Sequence, residues 1–161
     1  NGKNIETLEI FISERIALYT WCEGEKCYFM DDTGFIFAEA PYFSGEVYFK
    51  FFGPALLGTY FAKENFKQLI YFKDALMAMG LKPVSLLIKD DGDIKVFLSN
   101  FSKTSMEPSI ILKADSDFQK VAENLETAVT TEPLQSNLKN KYSSLEYIDL
   151  RFGNKVYYKF K

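Results

Sequence analysis

Hydrophobic and polar positions alternate in short runs along most of this chain, the two-residue period of strands with one dry face. Leu8, Ile10 and Ile12 share one side of the segment Ile5 to Ile12, which predicts a strand ended by Ser13-Glu14-Arg15. Ile16 to Trp21 predicts the next strand. Cys22 and Cys27 then flank four residues before a strand over Tyr28 to Met30, the pattern of a hairpin with a cysteine at each lip. Residues facing each other across such a hairpin lie about 4.5–5.5 Å apart at Cα, so a Cys22–Cys27 disulfide is geometrically open to the chain, with two reduced thiols as the alternative. Asp31-Asp32-Thr33-Gly34 predicts a turn, with the Asp side chains bonding local amides. Phe35 to Ala38 and Glu46 to Phe51 predict two more strands, bounded by Ala40-Pro41 and Gly53-Pro54.

From Lys63 to Met79 the period becomes helical, with Phe66, Leu69, Ile70, Leu76 and Met77 on one stripe and Gly80 at the C-cap. Strands Val84 to Lys89 and Ile94 to Ser99 flank the hairpin turn Asp90-Asp91-Gly92-Asp93, and Ser109 to Lys113 is the next strand. Ser116 with Gln119 reads as a capping box for a helix carrying Phe118, Val121, Ala122, Leu125, Ala128 and Val129. Thr130-Thr131 and Pro133 interrupt it, and Leu134, Leu138 and Tyr142 mark a second helical piece. In the last stretch Tyr147, Asp149 and Arg151 alternate with Ile148, Leu150 and Phe152; beyond Gly153-Asn154, Val156, Tyr158 and Phe160 alternate with Lys155, Tyr157 and Lys159. Gly153-Asn154 reads as a two-residue hairpin turn, with a bulge inside one bent strand as the competitor. The outer edge of this terminal segment is expected to be uncovered, either a managed hazard or a docking edge. The fold class is α+β, a mostly antiparallel sheet with two or three helices packed on one side.

At 161 residues, 47% hydrophobic and 25% charged, the chain can bury a full core. Its net charge of −3 argues against the basic surface that nucleic acid requires. The longest apolar run, Phe51 to Ala62, is broken by Gly53, Pro54 and Gly58 and falls short of the roughly 20 residues that span a bilayer. An aromatic content of 17% fits either strand propensity or an aromatic-lined cavity, around Tyr48 to Phe52, for a hydrophobic small molecule or lipid.

Catalytic chemistry is hard to assemble from these residues. There is no histidine, so neither a Ser-His-Asp nor a Cys-His nucleophile is available. Cysteines with four residues between them are not the redox spacing, no Gly-x-Gly-x-x-Gly occurs, and Asp90, Asp91 and Asp93 lack the spacing of a calcium loop. A carboxylate pair drawn from Asp31, Asp32, Asp90 or Asp93 is the remaining enzymatic alternative. A non-enzyme without metal or cofactor is the expectation. Asn100-Phe101-Ser102 fits a glycosylation sequon.

The run Tyr147-Ile148-Asp149-Leu150-Arg151-Phe152, followed by Gly153-Asn154-Lys155-Val156, resembles the closing signature of the FtsQ/DivIB family of bacterial cell-division proteins. Glu14-Arg15, the strand to Trp21, Asp31-x-x-Gly34-x-Ile36-Phe37 and Ala40-Pro41 resemble that family's passage from its POTRA domain into its β domain. The resemblance covers nearly the whole chain, with its two ends most specific. Ile16-Ala17 stands where the family often has Pro, and the cysteine-lipped hairpin is not general to it. The resemblance implies a last POTRA strand and junction over residues 1–18 and a β domain over 19–161. A single membrane-spanning helix and most of the POTRA domain would lie upstream of Asn1, placing this region on the extracytoplasmic side of the cytoplasmic membrane.

It further implies a non-catalytic divisome scaffold in septum formation. Such a scaffold recruits small bitopic coiled-coil proteins of the FtsB/DivIC and FtsL type, a partner strand adding to its C-terminal sheet edge. Arg151 matches the family's basic residue that meets an acidic partner, and Phe152 its adjacent aromatic contact. Gly153, Asn154, Lys155, Val156, Tyr157 and Tyr158 continue the surface offered to that partner, while Ile148 and Leu150 anchor it to the core.

Overall fold

A computed structural model describes residues 8–99 and 107–161 as one sheet of nine strands with helices on one face. In chain order the strands are β1 (Tyr19–Glu23), β2 (Lys26–Met30), β3 (Ile36–Glu39), β4 (Lys50–Phe52), β5 (Pro83–Ile88), β6 (Asp93–Leu98), β7 (Ser109–Lys113), β8 (Leu145–Phe152) and β9 (Lys155–Phe160). The helices are α1 (Phe66–Ala78), α2 (Phe118–Val129) and α3 (Leu134–Lys141). Across the sheet the order is β3-β2-β1-β4-β5-β6-β7-β8-β9.

Neighbouring strands are antiparallel except at β1–β4, β4–β5 and β7–β8. Two of those parallel joints need crossovers, which α1 and the α2–α3 pair supply. β4 and β7 point the same way and both crossovers advance in the same direction, so right-handed connections bring the helices to one face. That face holds the core. α1 contributes Phe66, Leu69, Phe72 and Leu76, and α2 contributes Phe118, Val121, Ala122 and Leu125, each set at helical spacing. They meet Trp21, Phe51, Leu86, Ile94, Val96, Ile110, Leu112, Ile148 and Leu150 from the sheet. Each large side chain so buried contributes about 1.5–3 kcal/mol.

The opposite face has no helices. One register row crosses it through Phe29, Thr20, Lys50, Ser85, Phe97, Ser109, Tyr147 and Lys159. At the β1–β2 end the connection between β3 and β4 folds over this face. Its Phe43 and Tyr48 rings lie 6.1 and 5.6 Å from Phe29, and Phe37 lies 6.3 Å from it.

Several boundaries differ from the periodicity. Residues 8–12 form no strand, and Leu8, Ile10, Phe11 and Ile12 are exposed, because the other described residues present no surface to their apolar face. The strand expected from Ile16 starts at Tyr19, and that expected over residues 46–51 shrinks to Lys50–Phe52. The four-residue loop between the cysteines tightens to Gly24-Glu25, since Cys22 and Cys27 are themselves a paired position in the ladder. α1 begins at Phe66 rather than Lys63. The cap of α2 is Asp117, whose carboxylate accepts from the Lys120 amide at 3.1 Å, so the Ser116 capping box does not form. The sequon at residues 100–102 lies outside the described residues.

Candidate functional site

The two ends of the sheet are finished differently. At the β3 end, the Ile36 amide donates to the Thr59 carbonyl at 2.9 Å and the Gly58 amide to the Ile36 carbonyl at 2.8 Å. Phe35 and Tyr60 add a bridge, so the segment around Thr59 covers the start of this edge, at Phe35 and Ile36. At the β9 end, among the described residues, no backbone hydrogen bond reaches the outer edge. The open amides follow from strand parity. Phe152 pairs with Lys155 across the turn and the Lys161 amide donates to Ser144, so residues 155, 157, 159 and 161 turn their backbone groups toward β8. Val156, Tyr158 and Phe160 turn theirs outward.

β8 and β9 form a hairpin, which decides between the two readings of Gly153-Asn154. Gly153 has φ +67° and Asn154 is not in the positive range, the pattern of a II′ turn. Bulges are also present, and one of them moves a side chain. Between Asp149↔Tyr157 and Phe152↔Lys155, three steps along β8 oppose two along β9. This single-residue slip carries Phe152 off the core face it would share with Ile148 and Leu150. It lands beside Tyr157, ring centroids 5.2 Å apart and nearly perpendicular, and is 54% exposed. Ile148 and Leu150 stay buried.

Arg151 is not the free cation that strand alternation suggests. Its Nε donates to Asp149 Oδ1 at 3.0 Å and its Nη2 to Asp149 Oδ2 at 2.7 Å, a bidentate pair, while Nη1 donates to Asp93 Oδ2 at 2.5 Å. Burial alone raises the Asp149 carboxyl, and the hydrogen bonds and charge of Arg151 outweigh it, leaving it below the ordinary carboxylate range. The Arg151 guanidinium is held above its usual value, first by its hydrogen bond to Asp149. Lys159 pairs with Glu146 at 2.8 Å, and its ammonium is likewise held up.

The eight residues expected to face a partner therefore divide. Phe152, Gly153, Asn154, Lys155 and Tyr157 are exposed; Val156 and Tyr158 are half-buried against the helices and offer their backbone. Arg151 instead ties β8 to the start of β6. Asp149 was available as its partner from the sequence, two residues away on the same strand face. Asp93, 58 residues distant, carried no such signal.

The cysteines are joined, with Cα atoms 4.0 Å apart. Asp31 accepts from the Thr33 amide at 2.9 Å, the Thr33 hydroxyl at 2.6 Å and the Phe35 amide at 3.0 Å, and also pairs with Arg15. Burial pushes its carboxyl up, and these bonds together bring it below its ordinary value. Asp31 and Asp93, two members of the candidate carboxylate set, are thus engaged in turn and ion-pair bonding. Among the described residues no group of three or more acidic or cysteine side chains is placed to hold a metal, and no helix is long and apolar enough to cross a membrane.

The geometry defines a class: an α+β domain whose sheet is partly covered at one end and open along its last strand. No family model matches the chain, and no curated protein matches it.

Proposed function

We propose that this chain is the extracytoplasmic part of a division scaffold of the FtsQ/DivIB type, without catalytic activity of its own. In this reading it recruits a small coiled-coil partner by accepting a strand along β9. The observation that supports the reading most is the unpaired outer edge of β9 beside a partly covered edge at β3. Outward amides and carbonyls at Val156, Tyr158 and Phe160 offer main-chain hydrogen bonds, each contributing about 0.5–1.5 kcal/mol net. Phe152 and Tyr157 supply an exposed aromatic step on one side of the added strand. The Cys22–Cys27 disulfide suits an oxidising compartment, in keeping with an extracytoplasmic location.

A proline at position 156 separates this reading from a merely exposed strand. Proline removes one outward N–H and is tolerated on an edge whose ladder bonds lie on the other side. Calorimetric titration with an acidic peptide from an FtsB/DivIC-type partner should show binding by the wild type and by Val156→Ala. Val156→Pro should weaken it at least tenfold while keeping the circular dichroism of the fold. Equal binding by a folded Val156→Pro, or no binding by the wild type, overturns the proposal.

A further inference from the structure

Residues 8–12 carry the alternation of a strand, with Leu8, Ile10 and Ile12 on one side and Glu9 and Phe11 on the other, yet among the described residues they pair with no strand. Leu8, Ile10, Phe11 and Ile12 are 82, 72, 90 and 85% exposed, a contiguous apolar run of the kind that marks a contact surface. β9 shows the reverse lack: its outward amides and carbonyls at Val156, Tyr158 and Phe160 have no strand to take them.

The two are complementary residue by residue. Laid antiparallel with Ile12 opposite Val156, the segment sets Ile10 opposite Tyr158 and Leu8 opposite Phe160, the three positions whose backbone groups face outward. Those three side chains of β9 pack against the core, so the added apolar residues extend it. On the other face Phe11 falls beside Tyr157, and Glu9 beside Lys159, which is 57% exposed although it already holds Glu146. Other alignments lose this match. A parallel strand with Ile10 still opposite Tyr158 would set Glu9 against Tyr157 and Phe11 against Lys159. An antiparallel slip of two residues one way puts Glu14 against Val156 on the apolar face, and the other way puts Phe11 against Lys155.

The segment cannot reach β9 of its own copy. The Leu18 amide donates to the Met30 carbonyl at 2.9 Å, which fixes Leu18 beside β1 and β2. A strand added outside β9 would lie seven strand spacings from β1, about 34 Å away. The six residues from Leu18 back to Ile12 extend roughly 20–22 Å at most. We infer that residues 8–12 of one copy add as an antiparallel strand to β9 of a second copy of this chain. Donor and acceptor are different surfaces, so each joint is head-to-tail. The inference does not rest on the division-scaffold reading, although both put an occupant on β9. Residues 1–18 as the end of a POTRA domain would instead hold the segment within its own copy, and the wild type would then be monomeric.

Sedimentation velocity of the intact chain should show association that grows with concentration across the micromolar range. Ile10→Lys charges the apolar side of the donor segment at an exposed position, and Val156→Pro removes one outward N–H of the acceptor. Each variant alone should associate about tenfold more weakly or worse, with its circular dichroism unchanged. Mixed in equal amounts, the two should form one-to-one dimers, because the Val156→Pro chain keeps a sound donor segment and the Ile10→Lys chain keeps a sound β9. Carbodiimide coupling in that mixture should join Glu9 of the Val156→Pro chain to Lys159 of the Ile10→Lys chain. Titrating the acidic partner peptide into Ile10→Lys, whose β9 is free, reports on the division-scaffold reading alone, so the two failures are read separately. A wild type that stays monomeric, an Ile10→Lys variant that associates as the wild type does, or a mixture that forms no dimer each overturns the inference.

Discussion

Each end of the sheet holds an arginine on a buried aspartate and over an aromatic ring, yet one end is partly covered and the other open. At the β3 end Arg15 pairs with Asp31 and lies 4.1 Å over Phe35, and Phe35 packs on Tyr60 at 5.1 Å. At the β9 end Arg151 pairs with Asp149 and Asp93 and lies 5.8 Å over Phe152, and Phe152 packs on Tyr157 at 5.2 Å. The difference is in the backbone. Asp31 gathers two amides and a hydroxyl of its own turn, and that turn leads into an edge partly covered by Thr59. Asp149 commits both oxygens to Arg151 on its own strand, and β9 beyond it has an unpaired outer edge. A strand held in shape before its partner arrives loses less ordering entropy on binding. The same side-chain device therefore accompanies a partly covered edge at one end and an open edge at the other.

The largest break in this comparison comes from placing one methyl group at each turn. Gly34 has φ +82°, and a Cβ there would sit 2.9 Å from the Phe66 ring in the core. Gly153 has φ +67° with open space around it. Both substitutions strain the backbone by about 1–2 kcal/mol, and only the first also forces a packed ring to move. Gly34→Ala should cost about 3 kcal/mol in urea unfolding and Gly153→Ala about 1 kcal/mol. Equal losses would mean that the β2–β3 turn is not seated on the core as described.

A smaller effect separates the two aspartates. Both carboxyls are held in the folded state below their ordinary, unperturbed value, so each contributes stability that is present above the unfolded value of about 3.9 and is lost as pH falls through the folded value. Stability should therefore be insensitive to these groups between pH 5 and 8 and decline below about pH 4. Asparagine keeps an oxygen for the amides that Asp31 serves, but it cannot form the charged bidentate pair of Asp149. Asp149→Asn should cost about 2 kcal/mol at pH 7 and Asp31→Asn about 1 kcal/mol. Both deficits should shrink as pH is lowered below about 4. A deficit for Asp149→Asn that stays constant down to pH 2 would show that the carboxylate is not what Arg151 holds.

Much of this arrangement was legible in the chain, and the gaps have physical causes. Ser109 to Lys113 matches β7, and the strand expected from Ile94 matches β6 to within a residue at each end. The terminal hairpin and the burial of Ile148 and Leu150 were readable in the same way. Phe152 is exposed, as the resemblance implied, but alternation alone would have put it with Ile148 and Leu150, and the bulge that turns it outward depends on how β8 and β9 seat together. The ion pair of Arg151 with Asp93 was hidden for a related reason: alternation tells which face a charge occupies, and only the register of β6, β7 and β8 brings Asp93 to it. Leu8 to Ile12 shows the converse limit. Their pattern is that of a strand, but a strand needs a neighbour to pair with, and the described residues supply none.

The finest test of the comparison uses its two aromatic pairs. Tyr60 and Tyr157 each meet a phenylalanine ring at similar distance and a steep angle, and each is exposed by a little under half. Such pairs contribute about 0.5–1.5 kcal/mol, with exposure favouring the lower figure. Tyr60→Ala and Tyr157→Ala should then lower stability by similar amounts, about 0.5–1 kcal/mol, and double-mutant cycles with Phe35 and Phe152 should return similar coupling. Binding of the partner peptide should tell them apart. Tyr60 lies beside the partly covered edge, so its loss should leave affinity unchanged, whereas removing Tyr157 should weaken the complex about tenfold or more, as truncating an interface anchor does. If both variants bind the peptide equally well, the aromatic step is a stabilising ornament of the hairpin, and any recognition at this edge rests on the main chain of β9 alone.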